Sequence, residues 1–272
     1  MRNACFFLIY YVIPIINPFY DNSLMRRLYL VVPAYNEEKR IGRALDDYAA
    51  TLINDSAIRA HIIVVSDSND GTDRIVEDFS GRYGQITLIK NRKREGKGGS
   101  LLKGFAYACR KAGKYDIIGF VDADDAVRGS EVKRLFRFSQ QDDVDGIIGS
   151  RYMPLSRLSG SLELSRKIAS RFYNLFVKLL FRLEYTDTQC SAKFFKRYAL
   201  ERALPKIVLK DLTFDVNLLY ALKEDGARIV EVPIIYHHVK YGTKVILSTQ
   251  IFKMFISTIT YRLHITLSRM RR

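Results

Sequence analysis

Apolar residues in the first 125 positions come in short runs, separated by longer stretches in which they recur at helical spacing. Leu28 to Val32 is a β-branched and leucine-rich run, and Pro33, which lacks a backbone donor, is predicted to end it as a strand. Glu37 to Leu52 then reads as a helix. His61 to Val65 predicts a second strand, followed by the polar turn Ser-Asp-Ser-Asn-Asp-Gly (66–71) and a helix from about Thr72 to Tyr83. Ile86 to Lys90 predicts a third strand, then a glycine-rich loop over 95–99 and a helix to about Ala112. The fourth strand, Ile117 to Val121, runs into Asp122, Asp124 and Asp125. Strands alternating with helices, without tight hairpins, predict an α/β fold with a mostly parallel sheet and right-handed crossovers. Ligands of such sheets sit beyond the carboxyl ends of the strands. Pro33–Glu37, Asp67–Asp70, Glu95–Gly99 and Asp122–Asp125 are therefore expected to open onto one crevice.

The pattern changes in the second half. Ile168, Phe172, Leu175, Phe176, Leu179, Leu180 and Leu183 recur at helical spacing among Arg166, Lys167, Arg171, Lys178 and Arg182. Thr249 to Leu267 predicts a second basic amphipathic helix, with Ile251, Phe252, Phe255, Ile256, Ile259, Leu263 and Leu267 as its stripe and Arg269, Arg271 and Arg272 behind. Such stripes either pack on a core or lie on a membrane surface, where basic flanks suit anionic lipid. Residues 4–20 carry no charge, but they are short for a spanning helix and contain Pro14 and Pro18. Residues 1–24 are thus either a membrane-touching segment or sequence upstream of a natural start at Met25.

With 272 residues and 48% hydrophobic content, the chain can bury a full core, as one large domain or two unequal lobes. Three cysteines, Cys5, Cys109 and Cys190, lie far apart with no C-x-x-C pair, so neither a disulfide framework nor a zinc knuckle is indicated. The net charge is +15, and its surplus sits in residues 151–272, with 22 Lys and Arg against 9 Asp and Glu. Such a half can face nucleic acid, anionic lipid or a phosphorylated ligand. A helix-turn-helix, RNP or zinc-finger signature is missing, which argues against nucleic acid. The first strand is not followed by G-x-G-x-x-G, which argues against a dinucleotide-binding dehydrogenase.

In this basic chain Asp122, Asp124 and Asp125 stand out, because three adjacent carboxylates repel one another unless a cation or donors compensate. A D-x-D pair after a buried strand can hold a hard divalent cation through its oxygens. It can equally be an acidic turn that binds nothing.

Five ordered motifs bear on that choice: Val-Val-Pro-Ala-Tyr-Asn-Glu-Glu (31–38), Val-Val-Ser-Asp-Ser-Asn-Asp-Gly-Thr (64–72), Gly-Lys-Gly-Gly-Ser-Leu-Leu-Lys-Gly (96–104), Val-Asp-Ala-Asp (121–124) and Asp-Thr-Gln-Cys (187–190). With Phe-Asp-Val-Asn-Leu-Leu-Tyr (214–220) and Glu-Val-Pro-Ile (231–234), the chain from about Leu28 to Lys244 resembles family 2 glycosyltransferases of the dolichyl-phosphate glucose and dolichyl-phosphate mannose synthase type. The resemblance implies a GT-A fold and a membrane-associated inverting transferase, with its active site facing the cytoplasm. Such an enzyme moves a sugar from a nucleotide diphosphate to a polyprenyl or dolichyl phosphate.

By the same resemblance, Pro33, Tyr35 and Glu37 match the loop that contacts the nucleoside, and Asp67 matches the acid that hydrogen-bonds the base. Asp122 and Asp124 match the pair that binds Mg²⁺ or Mn²⁺, and Lys97 lies where a cation near the donor is chemically sensible. Arg151, Arg166 and Lys244 match basic positions around the acceptor phosphate. Asp187, Gln189 and Asp215 match acceptor-side motifs, Asp215 as a residue orienting the sugar or an arginine. Asp124, Arg151 and Asp215 are the expected catalytic set. The adjacent His237 and His238 point to opposite faces of a strand and read as structural or loosely acceptor-side.

This implies a division into a donor half (25–150), an acceptor half (151–244) and a membrane-surface helix (245–272). Ser68 stands where relatives often carry glycine, and Asp125 and Ala126 replace residues that supply a further metal ligand in mannose synthases. The sequence therefore looks more like the glucose synthases, with UDP-glucose as the expected donor and GDP-mannose as the alternative. A rival of another class is a non-catalytic basic protein that binds a membrane or nucleic acid. It leaves the aspartates without a role.

Overall fold

Leu28, Leu30 and Val32 face one side of the first strand and Tyr29 and Val31 the other, and all five are buried. A strand covered on both faces reads as a continuous apolar run, as this one does. The computed structural model describes residues 26–160, 164–238 and 247–270. In chain order its elements are β1 (Arg27–Ala34), α1 (Ile41–Tyr48, continued by a π turn over Ala49–Ile53), β2 (Arg59–Ser66), α2 (Thr72–Arg82), β3 (Ile86–Lys90), α3 (Gly96–Lys111) and β4 (Ile117–Phe120). Next come α4 (Gly129–Ser139), β5 (Gly146–Ser150), β6 (Arg157–Ser159), α5 (Leu164–Phe181), β7 (Lys193–Lys196) and α6 (Arg197–Ala203). The last four are α7 (Phe214–Glu224), β8 (Ile229–Pro233), β9 (Ile235–His237) and α8 (Leu247–Met270).

Seven strands form one sheet in the order β3-β2-β1-β4-β7-β5-β8, and β6 and β9 pair as a short parallel ribbon. The strands β3, β2, β1 and β4 are parallel to one another. β7 runs antiparallel to both β4 and β5, while β8 is parallel to β5. The sheet is thus mixed, with its parallel part as the alternating pattern predicts. One core packs Leu28, Leu30 and Val32 against α1, α2 and α4; the other packs Tyr29, Val31, Ile63 and Val65 against α3, α6 and α7.

Three local expectations change. β1 does not stop at Pro33, which lies opposite Val65 in the parallel ladder. The predicted helix from Glu37 shortens to Ile41, because the Glu37 carbonyl accepts from both Arg40 N and Ile41 N, at 2.8 Å each, in a preceding turn. The glycine-rich stretch is the first turn of α3 rather than a loop. A Cβ on Gly98 would sit 2.7 Å from the Lys210 carbonyl, so this helix start fits only without a side chain there.

The two basic helices pack side by side. Phe255 of α8 meets Phe176 at 4.8 Å and Tyr173 at 5.3 Å between ring centroids, and Tyr173 shares a hydrogen bond with Thr258. Most of the predicted stripes stay outside: Ile168, Phe172, Leu175 and Leu179 of α5 are exposed beside Phe252, Ile256, Ile259, Leu263 and Leu267 of α8, and Phe176, Leu180 and Phe255 are partly covered. The core face is made instead by Tyr173, Val177, Phe181 and Tyr261, which the predicted stripes did not include. Among the described residues no helix is long and apolar enough to cross a membrane. The N-terminal segment 1–24 lies outside the described residues, as does Cys5; Cys109 and Cys190 are buried free thiols.

Candidate active site

β1 connects outward to β2 and β3, while β4 lies on its other side, so the strand order reverses between β1 and β4. A crevice opens at such a switch point. The loops that leave β1 and β2 are knit together: Asn36 N donates to Ser68 Oγ at 2.9 Å, Asn69 N to Asn36 Oδ1 at 2.9 Å, and Glu37 N to Thr72 Oγ1 at 2.7 Å. Ser68, the departure from glycine, therefore supplies an acceptor that glycine lacks. Asn36 sits at φ +54°, a left-handed conformation that asparagine tolerates. The Glu37 carboxylate accepts from Arg40 Nε at 2.6 Å, and the Arg94 guanidinium lies 4.1 Å over the Tyr35 ring.

Asp67 joins this edge to α3. Its Oδ2 accepts from Gly96 N at 2.8 Å and Glu95 N at 3.1 Å, and its Oδ1 from Asn91 Nδ2 at 2.6 Å. A carboxylate at a helix N-terminus satisfies amides that have no intrahelical partner. Both Asp67 oxygens thus already serve the turn that presents Lys97.

The three aspartates after β4 have three different environments. Asp122 Oδ1 receives the Lys97 ammonium at 2.7 Å. Burial alone would raise its pKa, but Lys97, with Ser191 and Lys193, outweighs that and holds it low. Asp124 accepts from Ala126 N at 3.1 Å, and burial followed by the charge on Asp122 pushes its pKa up to about 6. Asp125 is buried at φ +63° and turns away, with Oδ2 2.8 Å from Arg43 Nε and Oδ1 3.2 Å from Arg128 Nη1. Only Asp122 and Asp124 remain for the crevice. Among the described residues no cluster of three or more His, Cys, Asp or Glu is arranged to hold a metal. Two hard oxygen donors, with Asp124 raised by burial and by the charge on Asp122, nevertheless fit a divalent cation whose other ligands come from a bound phosphate.

Behind this pair lies a cation that the sequence reading missed. Lys193, at the start of β7, is fully buried, with Nζ 2.6 Å from Asp215 Oδ1, a further hydrogen bond to the Cys190 carbonyl, and the Phe120 ring 5.3 Å away. Asp215, at the head of α7, is itself 2% exposed, and its carboxylate pairs with the Lys193 ammonium. A lysine inside the apolar run Ala-Lys-Phe-Phe was the available signal, since buried lysines need a partner.

Arg151 leaves the end of β5 and forms a fork on Asp187, Nε to Oδ2 at 2.7 Å and Nη2 to Oδ1 at 2.9 Å. Asp187 would be raised by burial, but Arg151 lowers it. The loop that carries Asp187 hangs on Glu231, which accepts from Thr186 N and Asp187 N at 2.8 Å each. Tyr152 and Tyr236 lie 5.5 and 5.6 Å from the Arg151 guanidinium. Gln189 Nε2 is buried without a hydrogen-bond partner in the described structure. His237 Nδ1 bonds Ser159 Oγ at 2.7 Å within the β6–β9 ribbon. Arg166 lies in α5, though its side chain is outside the description, and Lys244 falls outside the described residues.

Comparison with known proteins matches these features. The profile of Glycosyl transferase family 2 covers residues 29–204. Dolichyl-phosphate beta-glucosyltransferase of Dictyostelium discoideum is 30% identical over 219 residues, which are 76% of this chain but 65% of that protein. The Saccharomyces cerevisiae protein of the same name is 30% identical over 244 residues, covering 84% of this chain and 71% of the relative. Glucosyl-3-phosphoglycerate synthase from Mycobacterium tuberculosis, solved with Mn²⁺, UDP and phosphoglyceric acid, superposes with a TM-score of 0.65 at 17% identity, covering 87% of this chain and 78% of that one. This last likeness establishes the shared GT-A-like fold. With a family profile over well more than half of its length, the chain belongs to glycosyl transferase family 2 and is a nucleotide-sugar glycosyltransferase.

Proposed function

We propose that this glycosyltransferase moves glucose from UDP-glucose, with inversion, onto a polyprenyl phosphate such as dolichyl phosphate at the cytoplasmic face of a membrane. The observation that carries the reading is the Asp122–Asp124 pair at the switch point, facing the Lys97 ammonium across the crevice. The names of the curated relatives supply the donor and acceptor classes.

Residues 26–150 bind the donor, with Tyr35 and Glu37 at the nucleoside, Asp67 and Pro33 shaping that edge, and Lys97 at the diphosphate. Mg²⁺ or Mn²⁺ would be held by Asp122 and Asp124 and would neutralise charge on the departing diphosphate. The acceptor phosphate is largely ionised near neutral pH, its second pKa being about 6, so it attacks without a strong general base. One of its oxygens bonds to the anomeric carbon on the face opposite UDP, the bond from that carbon to UDP breaks, and UDP leaves with the electron pair. Arg151, held by Asp187, offers the rest of its guanidinium to the acceptor phosphate. Gln189 brings an unsatisfied donor to the same side, and Arg166 and Lys244 add positive charge there. Asp215 acts as a positioning residue through Lys193.

The exposed seam along α5 and α8, flanked by Arg171, Lys253 and Arg269, lies on the membrane surface and brings the lipid acceptor to Arg151. The test incubates the full chain with Mn²⁺, polyprenyl phosphate in vesicles and radiolabelled UDP-glucose or GDP-mannose. Labelled lipid from UDP-glucose is expected; label from GDP-mannose alone reassigns the donor, and no labelled lipid from either overturns the reading.

A further inference from the structure

Phe120, the last residue of β4, lies between two ammonium groups, Lys193 at 5.3 Å and Lys97 at 5.8 Å from its ring centroid. The two lysines are held very differently. Lys193 is fully buried, and both Asp215 and the Cys190 carbonyl accept from it. Lys97 has a side chain that is 22% exposed and, among the described residues, forms an ion pair with Asp122 alone, at 2.7 Å. It extends from a helix start anchored by Asp67 below and by the Lys210 carbonyl, which accepts from Gly98 N at 3.1 Å. The backbone is therefore fixed while the ammonium can exchange.

We propose that Lys97 is an exchangeable counter-ion: it neutralises Asp122 until a divalent cation takes the carboxylate, and its released ammonium then turns to the donor diphosphate. This rests on the reading of Asp122 and Asp124 as the metal pair. Asp122 Oδ1 is the atom that both cations require. A lysine ammonium and a dication repel each other, so one carboxylate oxygen does not hold both at close range. The other two aspartates show why the exchange falls on Asp122: Asp125 is committed to Arg43 and Arg128, and among the described residues Asp124 has no lysine or arginine in ion-pair contact. Lys97 thus opposes metal binding in the absence of donor and favours it in its presence. This makes binding of the cation and of the nucleotide cooperative, with the pair of binding constants linked in both directions.

Mn²⁺ binding to the full chain without nucleotide, followed by the electron paramagnetic resonance signal of free Mn²⁺, tests this in wild type, Lys97→Met, Lys93→Met and Asp122→Asn. Thermal unfolding checks that each is folded, and Lys97→Gln replaces Lys97→Met if the latter is not. Removing Lys97 is expected to tighten Mn²⁺ binding roughly threefold to tenfold, the range for a lost competing ion pair. Lys93→Met, which removes an exposed charge from the same basic run, stays within about twofold of wild type. With Mn²⁺ saturating, UDP binds the Lys97 variant more weakly than wild type. Unchanged or weaker Mn²⁺ binding in the folded Lys97 variant overturns the inference, as does equal tightening in Lys93→Met. If Asp122→Asn abolishes Mn²⁺ binding while Lys97→Met leaves it unchanged, only the exchange fails. If Asp122→Asn binds Mn²⁺ as wild type does, the metal reading fails and takes the exchange with it.

Discussion

Along the carboxyl edge of β1 to β4, polar side chains are held by partners: Asp67 by the start of α3, Ser68 by Asn36 from the neighbouring loop, and Glu37 by Arg40 of its own loop. On the outer faces of α5 and α8, Phe172, Leu179, Phe252 and Leu263 are more than half exposed, with no such partners from the described chain. Most polar groups in the first region are satisfied by a fixed neighbour, which suits a site that must hold charges in place. The second leaves apolar surface in water, which costs free energy unless something covers it. The donor-side residues matched to the family lie in the first region, and ten of the fourteen exposed large apolar residues among those described lie in the second. On the proposed function, chemistry belongs to the first and membrane attachment to the second.

The sharpest break of this contrast is Asp124→Ala, which is expected to lower turnover at least about 10³-fold, since one preorganised group at developing charge is worth that order. The same variant should bind anionic vesicles as wild type does in a flotation assay; loss of both together would merge the two regions. Next, Phe172→Ser, Leu179→Ser and Leu263→Ser combined should weaken vesicle binding by about a hundredfold to a thousandfold, since each large apolar side chain is worth roughly 1.5–3 kcal/mol when fully buried and a helix lying on a surface buries about half of that. UDP affinity measured by calorimetry should stay unchanged. The smallest effect concerns pH. The folded-state pKa of Asp124, about 6, lies above the ordinary carboxylate value, so ionised Asp124 costs stability above that pH and protonation relieves the cost below it. In the presence of EDTA, Asp124→Asn should melt about 2–4 °C above wild type at pH 7.5. The gap should close as pH falls through about 6 towards 4, and a gap that widened instead would contradict this environment.

Much of the donor edge was legible because β1, β2 and β4 are apolar runs buried on both faces, and all four strands end in loops that announce themselves as polar. Ile86 to Lys90 was read to the residue. β7 was not legible, because Lys-Phe-Phe-Lys offers two lysines where a central strand is expected to be apolar. Both lysines are in fact buried, Lys196 by donating to the Gln141 and Asp142 carbonyls and Lys193 by Asp215. Partners that distant in sequence leave no local pattern. The same reason hid the turn of Asp125 away from its neighbours, since Arg43 lies 82 positions earlier. The helical stripes of α5 and α8 were visible, but periodicity gives no means of telling which of their apolar residues a neighbouring helix will cover.

The insertion of β7 between β4 and β5 bears on how the chain is made. Residues 26–150 emerge from the ribosome with both of those strands but without the segment that joins them, so each has an unpaired side until residue 196 is available. Open strand edges invite pairing with other chains. A fragment ended near residue 150 should accordingly aggregate instead of folding as an autonomous nucleotide-binding unit, and a nascent chain is most exposed to chaperones over that interval of synthesis.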